Sequence, residues 1–184
     1  MAILPITVYG DKILREKTKP VKSIDDNIIE LLQDMFETMH NANGIGLAAN
    51  QVGVDKSIFI VDLSLSEGYE KFKPMVFINP KIVLYSDEKN IIEEGCLSLP
   101  NLRADVERSS DIRIQYLDTD ENEREIEASE LFARVILHEY DHLLGKMIPD
   151  RVDEEIKKQL KDELLTIKQR KVKIDYPITK IKKL

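Results

Sequence analysis

Apolar residues recur at three- and four-residue spacing between residues 25 and 43. This spacing places them on one face of a helix, because residues three and four apart lie on the same side of a helical turn. Ser23 precedes the segment as a candidate cap, and Gly44 follows it as a candidate stop. The sequence therefore predicts an amphipathic helix, whose apolar face comprises Ile28, Ile29, Leu32, Met35, Phe36 and Met39.

The middle of the chain consists of short segments that are rich in β-branched residues and separated by turn-prone clusters. The alternation is clearest in residues 111–116, where Ile112, Ile114 and Tyr116 share one face of a strand. Such segments are typical of antiparallel strands. The sequence predicts them at residues 57–63, 75–85, 91–96, 103–108, 112–117 and 123–128.

Helical spacing returns after the last of these strands. One predicted helix covers residues 130–144 and ends at Gly145, which readily adopts the left-handed conformation found at helix C-termini. Another covers residues 153–171. Strands grouped between helices, without regular β-α-β alternation, indicate an α+β fold. We expect antiparallel or mixed sheets packed around the helix of residues 130–144, with one N-terminal and one C-terminal helix.

Composition narrows the class of protein. A length of 184 residues suits one domain, and the single cysteine, Cys96, excludes an internal disulfide. The first residues lack the pattern of a secretory signal, and no apolar run approaches the ~20 residues of a membrane span. We therefore expect a soluble, cytoplasmic protein without a membrane partner.

The charge is unevenly distributed along the chain. The net charge of −7 argues against nucleic-acid binding, including sequence-specific binding. Residues 168–184 are nevertheless mostly basic, with Asp175 as their only acid. We therefore divide the chain into a catalytic domain of residues 1–171 and a basic C-terminal tail of residues 172–184.

The segment His138-Glu139-Tyr140-Asp141-His142 matches the pattern H-E-x-x-H. Two histidines four residues apart lie on the same face of a helix and can bind one metal ion. Glu139 lies beside that face without being a ligand, so it can take a proton from water bound to the ion. Apolar neighbours indicate a buried helix, and two buried histidines one turn apart are better explained by a shared cation than by separate hydrogen bonds.

A catalytic metal site of this kind needs a third protein ligand. Glu154 and Glu155 are the nearest downstream candidates, and such a ligand would indicate a zincin-type metallopeptidase. Cys96 is the other candidate, although a lone cysteine is more often a small buried apolar residue than a ligand. Spacing alone leaves both alternatives open.

Three short segments occur in a characteristic order: residues 44–53 (GIGLAANQVG), 94–98 (EGCLS) and 138–143 (HEYDHL). With the predicted helix before the first and the strands between them, they resemble the motifs of bacterial-type peptide deformylases over roughly residues 1–165. The resemblance implies hydrolysis of the N-terminal formyl group of formylmethionyl nascent polypeptides, with release of formate.

The resemblance also implies roles for particular residues. Water bound to the metal would attack the formyl carbon while Glu139 accepts its proton and then donates it to the departing amine. The Gln51 side-chain amide and the Leu97 backbone N–H would donate to the developing oxyanion. The metal is characteristically Fe(II), with Zn, Ni or Co able to occupy the same site. Its implied ligands are Cys96, His138 and His142.

The implied substrate site is a groove in which an extended peptide adds alongside the protein backbone. Glycines there leave room for the peptide, and apolar side chains would receive the methionine. The implied substrate-binding residues are Gly44, Ile45, Gly46, Ile92, Glu94, Gly95, Arg103, Leu131 and Val135.

The chain departs from the family pattern at two positions. Leu137 stands where family members often carry Gln, a change that leaves all the implied chemical groups present. Arg134 stands where the family residue is often apolar, and we expect it to reshape or gate the methionine pocket. Inside the motif, we expect Asp141 to hold Arg103 or Arg108 in support of the metal site.

The expected partners are formyl-methionyl nascent peptides. The basic tail suggests contact with the ribosome, where acidic RNA would attract it, although a solvated terminus is an equal alternative. A non-catalytic binding module of the same fold is a further alternative, against which the intact Glu139 and Gln51 argue. The native metal, the oligomeric state and the preference for residues after methionine are left open by the sequence.

Overall fold

The structure, a computed structural model, describes residues 1–181. Four helices lie in this range: α1 (Asp26–Asn41), α2 (Glu130–Leu143), α3 (Glu154–Gln159) and α4 (Lys161–Lys168). Shorter 3-10 turns occupy Lys12–Arg15, Ala49–Val52 and Ile148–Asp150. The strands are β1 (Gly46–Ala48), β2 (Ile58–Val61), β3 (Met75–Tyr85), β4 (Lys89–Cys96), β5 (Leu99–Ser109), β6 (Asp111–Leu117) and β7 (Glu123–Ser129).

The described strands form two antiparallel sheets. One has five strands in the order β1-β2-β3-β6-β7, and β4 pairs with β5 in a separate two-stranded ribbon, here called the β4–β5 ribbon. In β6 the predicted alternation is confirmed, since Ile112, Ile114 and Tyr116 are all buried. The α+β class is therefore confirmed.

Helix α2 lies at the centre of the molecule. It packs against β1 and β2 of the larger sheet and also contacts β5 of the ribbon. Its inward residue Ile136 is fully buried in a cluster that includes Phe59 and Phe77, whose rings stack with centroids 4.6 Å apart. The H-E-x-x-H segment is thus carried by the most enclosed helix, as its apolar neighbours indicated.

The ends of α1 differ from the sequence prediction. Asp25, not Ser23, caps the helix, because its side chain accepts a hydrogen bond from the Ile28 N–H at 3.0 Å. The helix ends at Asn41, and the residue in the left-handed conformation is Asn43 (φ 53) rather than Gly44. Asparagine tolerates this conformation, so the turn does not require the glycine.

The predicted helix of residues 153–171 is divided in two. Asp153 caps α3 by accepting from the Ile156 N–H at 2.8 Å, but the helix stops before Leu160 and α4 ends at Lys168. The division lets α4 bury Leu164 against the β4–β5 ribbon. Beyond α4, Ile178 forms an isolated parallel bridge with Ile6. Among residues 1–181, no helix is long and apolar enough to cross a bilayer.

Candidate active site

Three side chains that can bind a metal converge between α2 and the β4–β5 ribbon. His138 and His142 lie one turn apart on α2, with their Nε2 atoms 3.3 Å apart. Cys96 enters from the end of β4, where the ribbon has a register shift, and its Sγ lies 3.2 Å from His142 Nε2. All three donor atoms lie within 4.8 Å of one another.

This donor set fits a divalent metal ion. Ligand atoms about 2.0–2.3 Å from one tetrahedral ion lie about 3.3–3.8 Å from each other, close to the separations found here. The set would supply one sulfur and two imidazole nitrogens, and catalytic sites use three protein ligands of this kind beside an open position. Glu154, the alternative ligand, is highly exposed, and its carboxylate contacts Lys157 at 3.6 Å. The geometry therefore favours Cys96 as the third ligand.

Glu94 orients the first histidine. Its carboxylate lies 2.9 Å from His138 Nδ1, which leaves Nε2 facing the other two donors. Arg108 binds both carboxylate oxygens, at 2.6 and 2.9 Å, and Arg134 binds one at 2.8 Å. Burial would raise the pKa of Glu94, but the bonds from His138 and Arg108 outweigh it and hold the pKa well below its usual range. Glu94 is thus a buried anion among cations.

Asp141 continues this buried network. Arg108 Nη1 donates to Asp141 at 2.7 Å, and Arg151 Nε donates to the same carboxylate at 2.8 Å. Arg108, one of the two expected partners, is therefore the one bound. Arg103 does not reach Asp141; its guanidinium lies over Gly95, where an added Cβ would meet Nη1 at 2.9 Å. Arg103 stays at the surface because β5 turns alternate side chains to opposite faces.

Arg134 occupies a fixed position in the wall of the cleft. Its guanidinium is buried and donates to Glu94, to the Val106 carbonyl oxygen at 2.8 Å and to Asn90. A guanidinium held by a carboxylate and by backbone carbonyls is not free to swing across a pocket. Of the two effects expected from the sequence, its contacts favour a reshaped pocket wall over a gate.

Glu139 faces the cleft beside the three donors. It is 4 % exposed, and its Oε2 has no hydrogen-bond partner among the described residues. Burial raises the pKa of Glu139 to about 7, with a smaller contribution from the Glu94 charge, while His138 and Arg108 act in the opposite direction. A carboxyl with such a pKa can both take and return a proton near neutral pH.

The side-chain amide of Gln51 is held in one orientation. Its Oε1 accepts from the Ala48 N–H at 2.7 Å, so the Nε2 group points the other way, 3.2 Å from Ser98 Oγ and 3.7 Å from Cys96 Sγ. Gln51 lies in the 3-10 turn that follows β1. An amide donor is thus aimed at the space beside the three converging donor atoms.

The family comparisons agree with this geometry. A family model described as polypeptide deformylase matches residues 3–158. The chain belongs to the polypeptide deformylase family. A peptide deformylase of Prosthecochloris aestuarii is 46 % identical over 179 residues, which cover 97 % of this chain and 96 % of the relative.

Solved deformylase structures share the fold. A plant peptide deformylase, PDF1B, aligns with a TM-score of 0.85 at 36 % identity, covering 91 % of this chain and 90 % of that one. The deformylase of Synechococcus elongatus in complex with actinonin aligns with a TM-score of 0.82 at 38 % identity, covering 89 % of each chain. The family is metal-dependent and removes the N-terminal formyl group from nascent peptides. The deformylase prediction is thereby confirmed over the zincin-type alternative.

The deformylase residues expected from the sequence line one cleft of about 820 Å³, except for His142, which lies buried beneath it. The Glu94 side chain reaches His138 from this cleft wall instead of extending into the open groove. The lining includes Gly44, Ile45, Gly46, Gln51, Ile92, Glu94, Gly95, Cys96, Leu97, Arg103, Leu131, Val135, His138 and Glu139.

Several residues of this deformylase site were missed by sequence reasoning. Arg108 was expected only as a partner of Asp141, and its contact with both carboxylate oxygens of Glu94 was missed. That contact had a signal: Arg108 continues the inward alternation of Leu102, Ala104 and Val106 on β5, and a charged residue at such a position must be buried with partners. Tyr176, which also lines the cleft, lies in the supposed basic tail and had no such signal. The others are Asn50, which donates to the His142 carbonyl oxygen at 2.6 Å, Ser98 and Arg151.

Proposed function

We propose that this chain deformylates formylmethionyl nascent polypeptides with Cys96, His138 and His142 as metal ligands, Glu139 as the acid–base group and Gln51 and Leu97 as oxyanion donors. One observation carries the proposal. The unpartnered Oε2 of Glu139 and the oriented amide of Gln51 face the same cleft as the three converging donor atoms.

The bound ion supplies Lewis-acid chemistry, polarising the formyl oxygen and lowering the pKa of a water molecule. A thiolate with two imidazoles suits several ions. We propose Fe(II) as the native metal, with Zn, Ni and Co as ions that the same donors accept. We assign Glu94 to the orientation of His138 and not to direct substrate binding, because its carboxylate is hydrogen-bonded to His138, Arg108 and Arg134.

Glu139 moves the proton in the proposed reaction. Its Oε2 accepts a proton as a water oxygen bonds to the formyl carbon, and it then donates that proton to the methionine nitrogen as the C–N bond breaks. The products are formate and a free amine. Gln51 Nε2 and the Leu97 N–H donate to the formyl oxygen while it carries negative charge. Because the Ala48 N–H fixes the Gln51 amide, no reorganisation is needed at that moment.

The substrate binds in an extended form between β1 and the β4–β5 ribbon. Gly44, Gly46 and Gly95 line the cleft, where main-chain hydrogen bonds can hold chains of varied sequence. The methionine side chain enters the apolar part of the cleft, and Arg103 lies at its exposed rim. The methionine pocket comprises Ile45, Ile92, Leu131 and Val135.

The role of the thiol is tested by converting Cys96 to Ser. We expect the variant to lose its bound metal. We also expect its rate of formate release to fall by more than the ~100-fold that is lost when a residue supporting a metal ligand is replaced. Formate release from a formyl-Met tripeptide and metal content after anaerobic purification are the measurements. Glu154→Gln, at the exposed alternative ligand, should retain both. A Cys96→Ser protein that keeps its metal and its turnover would contradict the assignment.

Glu139→Gln separates chemistry from metal binding. This variant should keep the metal but lose formate release by about 10²–10⁴-fold, because the amide cannot accept the proton. An acetyl-Met tripeptide serves as the substrate control.

We also propose that the protein acts in the cytoplasm and meets nascent chains at the ribosome through its basic C-terminal segment. Lys168, Lys171 and Lys173 are exposed there. Lys182 and Lys183, which belong to the same basic segment, lie outside the described residues.

A further inference from the structure

The described segment after α4, residues 169–181, packs against the start of the chain. Its residues alternate in exposure: Val172, Ile174 and Tyr176 are partly buried, whereas Lys171, Lys173 and Asp175 are exposed. This is the period of an extended chain with one face against the protein. The basic character of the segment therefore belongs to its outer face.

Backbone bonds join this segment to the start of the chain. The Ile6 N–H donates to the Pro177 carbonyl oxygen at 2.9 Å, and the Thr179 N–H donates to the Ile6 carbonyl oxygen at 2.9 Å. Arg170 Nε donates to the Thr179 carbonyl oxygen at 3.1 Å, and Thr179 Oγ1 donates to Asp11 at 2.6 Å. Before Tyr176, the Lys173 carbonyl oxygen accepts from Asn101 Nδ2 at 3.1 Å, so bonds on both sides fix the position of Tyr176.

Tyr176 lies in the wall of the active-site cleft. Its ring lines the cleft, and its hydroxyl donates to the Leu97 carbonyl oxygen at 2.8 Å. Burial raises the pKa of Tyr176, so the hydroxyl stays protonated and remains a donor. The contact joins two residues 79 positions apart.

Leu97 lies in the turn between β4 and β5, directly after Cys96. The next carbonyl of this turn, that of Ser98, accepts from the Tyr9 N–H at 3.0 Å. Terminal segments of the chain therefore hold two successive carbonyl oxygens of the turn, Leu97 through Tyr176 and Ser98 through Tyr9.

We propose that Tyr176 is a positioning residue for deformylation, which aims the Leu97 N–H by holding the Leu97 carbonyl oxygen. The N–H belongs to the peptide that Leu97 shares with Cys96, and the carbonyl belongs to the peptide shared with Ser98. With the Cys96 thiol among the metal ligands and the Leu97 carbonyl bound to Tyr176, both peptides are fixed and the N–H has one direction. The inference rests on the proposed role of Leu97 as an oxyanion donor.

Tyr176→Phe tests the inference because it removes the hydroxyl and keeps the ring. Loss of a whole oxyanion donor costs ~10²–10³-fold in kcat, and a donor that is only less well aimed should cost less. We expect kcat for a formyl-Met tripeptide to fall about 5- to 20-fold, with KM changed less than about twofold. The amide 1H–15N resonance of Leu97 should shift in the metal-loaded variant. Metal content and the unfolding temperature should match those of the wild type.

Tyr69→Phe is the matched control, since Tyr69 packs beside Phe72 outside the cleft. It should change neither kcat nor the Leu97 resonance. An unchanged kcat in Tyr176→Phe would overturn the inference, and so would a loss of kcat that only follows a loss of metal or of folded protein. Failure of the proposed function is distinguishable, because the metal-loaded wild type would then release no formate.

Discussion

Glu94 and Cys96 act together because they lie two residues apart on one strand. Side chains at this spacing point to the same face of a strand, and both reach the histidines: a Glu94 carboxylate oxygen lies 2.9 Å from His138 Nδ1, and Cys96 Sγ lies 3.2 Å from His142 Nε2. One supplies a donor atom and the other fixes the orientation of the first imidazole. The E-G-C sequence thus places the proposed ligand two residues from the carboxylate that supports His138.

Removal of the Glu94 charge should weaken the metal site. In Glu94→Gln, Arg108 and Arg134 lose a shared anion, and His138 Nδ1 loses its charged partner. We expect metal affinity to fall about 10- to 100-fold and the free energy of unfolding to fall by roughly 3 kcal/mol. Chelator competition and denaturant titration measure the two effects.

Glu107→Gln is the control for this change, because Glu107 is on the same ribbon but is exposed and, among the described residues, forms an ion pair with Lys89 alone. A surface pair of this kind contributes about 0–1 kcal/mol. Equal metal affinities of the Glu94 and Glu107 variants would show that the buried carboxylate does not support the site.

At the scale of elements, periodicity predicted most of the fold. It located α1, α2 and β3 to within about two residues, because their buried faces follow the simple periods of helix and strand. Periodicity failed where tertiary packing determines the bounds of an element. Strand β5 begins at Leu99, before the predicted residue 103, although Pro100 and Asn101 favour a turn. The last helix bends at Leu160, where burial against the ribbon prevails over helical continuity.

The candidate site was predictable only in part. Helical geometry alone brings His138 and His142 together, whereas Cys96 was chosen through the resemblance. Glu94 was expected to bind substrate, but its partner His138 is 44 positions away, a contact that no local pattern reveals. The role of Tyr176 likewise depends on where the chain end returns, which is a property of the folded molecule.

The backbone of strand β1 packs against helix α2, which carries Glu139. A Cβ on Gly46 would meet Glu139 Oε1 at 2.5 Å and Val135 Cγ1 at 2.8 Å. In Gly46→Ala, we therefore expect Glu139 to be displaced, kcat to fall about 100-fold, and the free energy of unfolding to fall by about 1–3 kcal/mol. Formate release and thermal unfolding measure the two quantities.

Gly68→Ala separates catalytic from general effects of this substitution. Gly68 has a left-handed backbone (φ +82), and a Cβ there meets nothing within 4 Å, so the change should cost about 1–2 kcal/mol of backbone strain without loss of kcat. If Gly46→Ala, like the control, loses stability but keeps the wild-type kcat, the close contact between β1 and Glu139 is unimportant for catalysis.

At the scale of the whole molecule, the chain ends complete the site from outside the recognised motifs. The family model stops at residue 158, yet the Prosthecochloris relative aligns over 97 % of this chain. Residues 172–181 pack against the N-terminal segment and bring Tyr176 to the cleft. Deletion of the tail would therefore remove an active-site contact along with the basic charges, so it cannot isolate the role of those charges.

Replacing the exposed lysines of the segment after α4 tests the proposed ribosome contact without removing Tyr176 from the cleft. Changing Lys171, Lys173 and Lys180 to Gln leaves the inward residues intact, so turnover of a free peptide should be unchanged. If each lysine meets a phosphate, ribosome affinity should fall, and the slope of log K against log salt should decrease by about 2–3. Lys71, Lys73 and Lys81, also exposed, provide a triple variant with the same change in charge. An equal loss of affinity in both variants would assign the effect to net charge and reject a specific contact by the C-terminal segment.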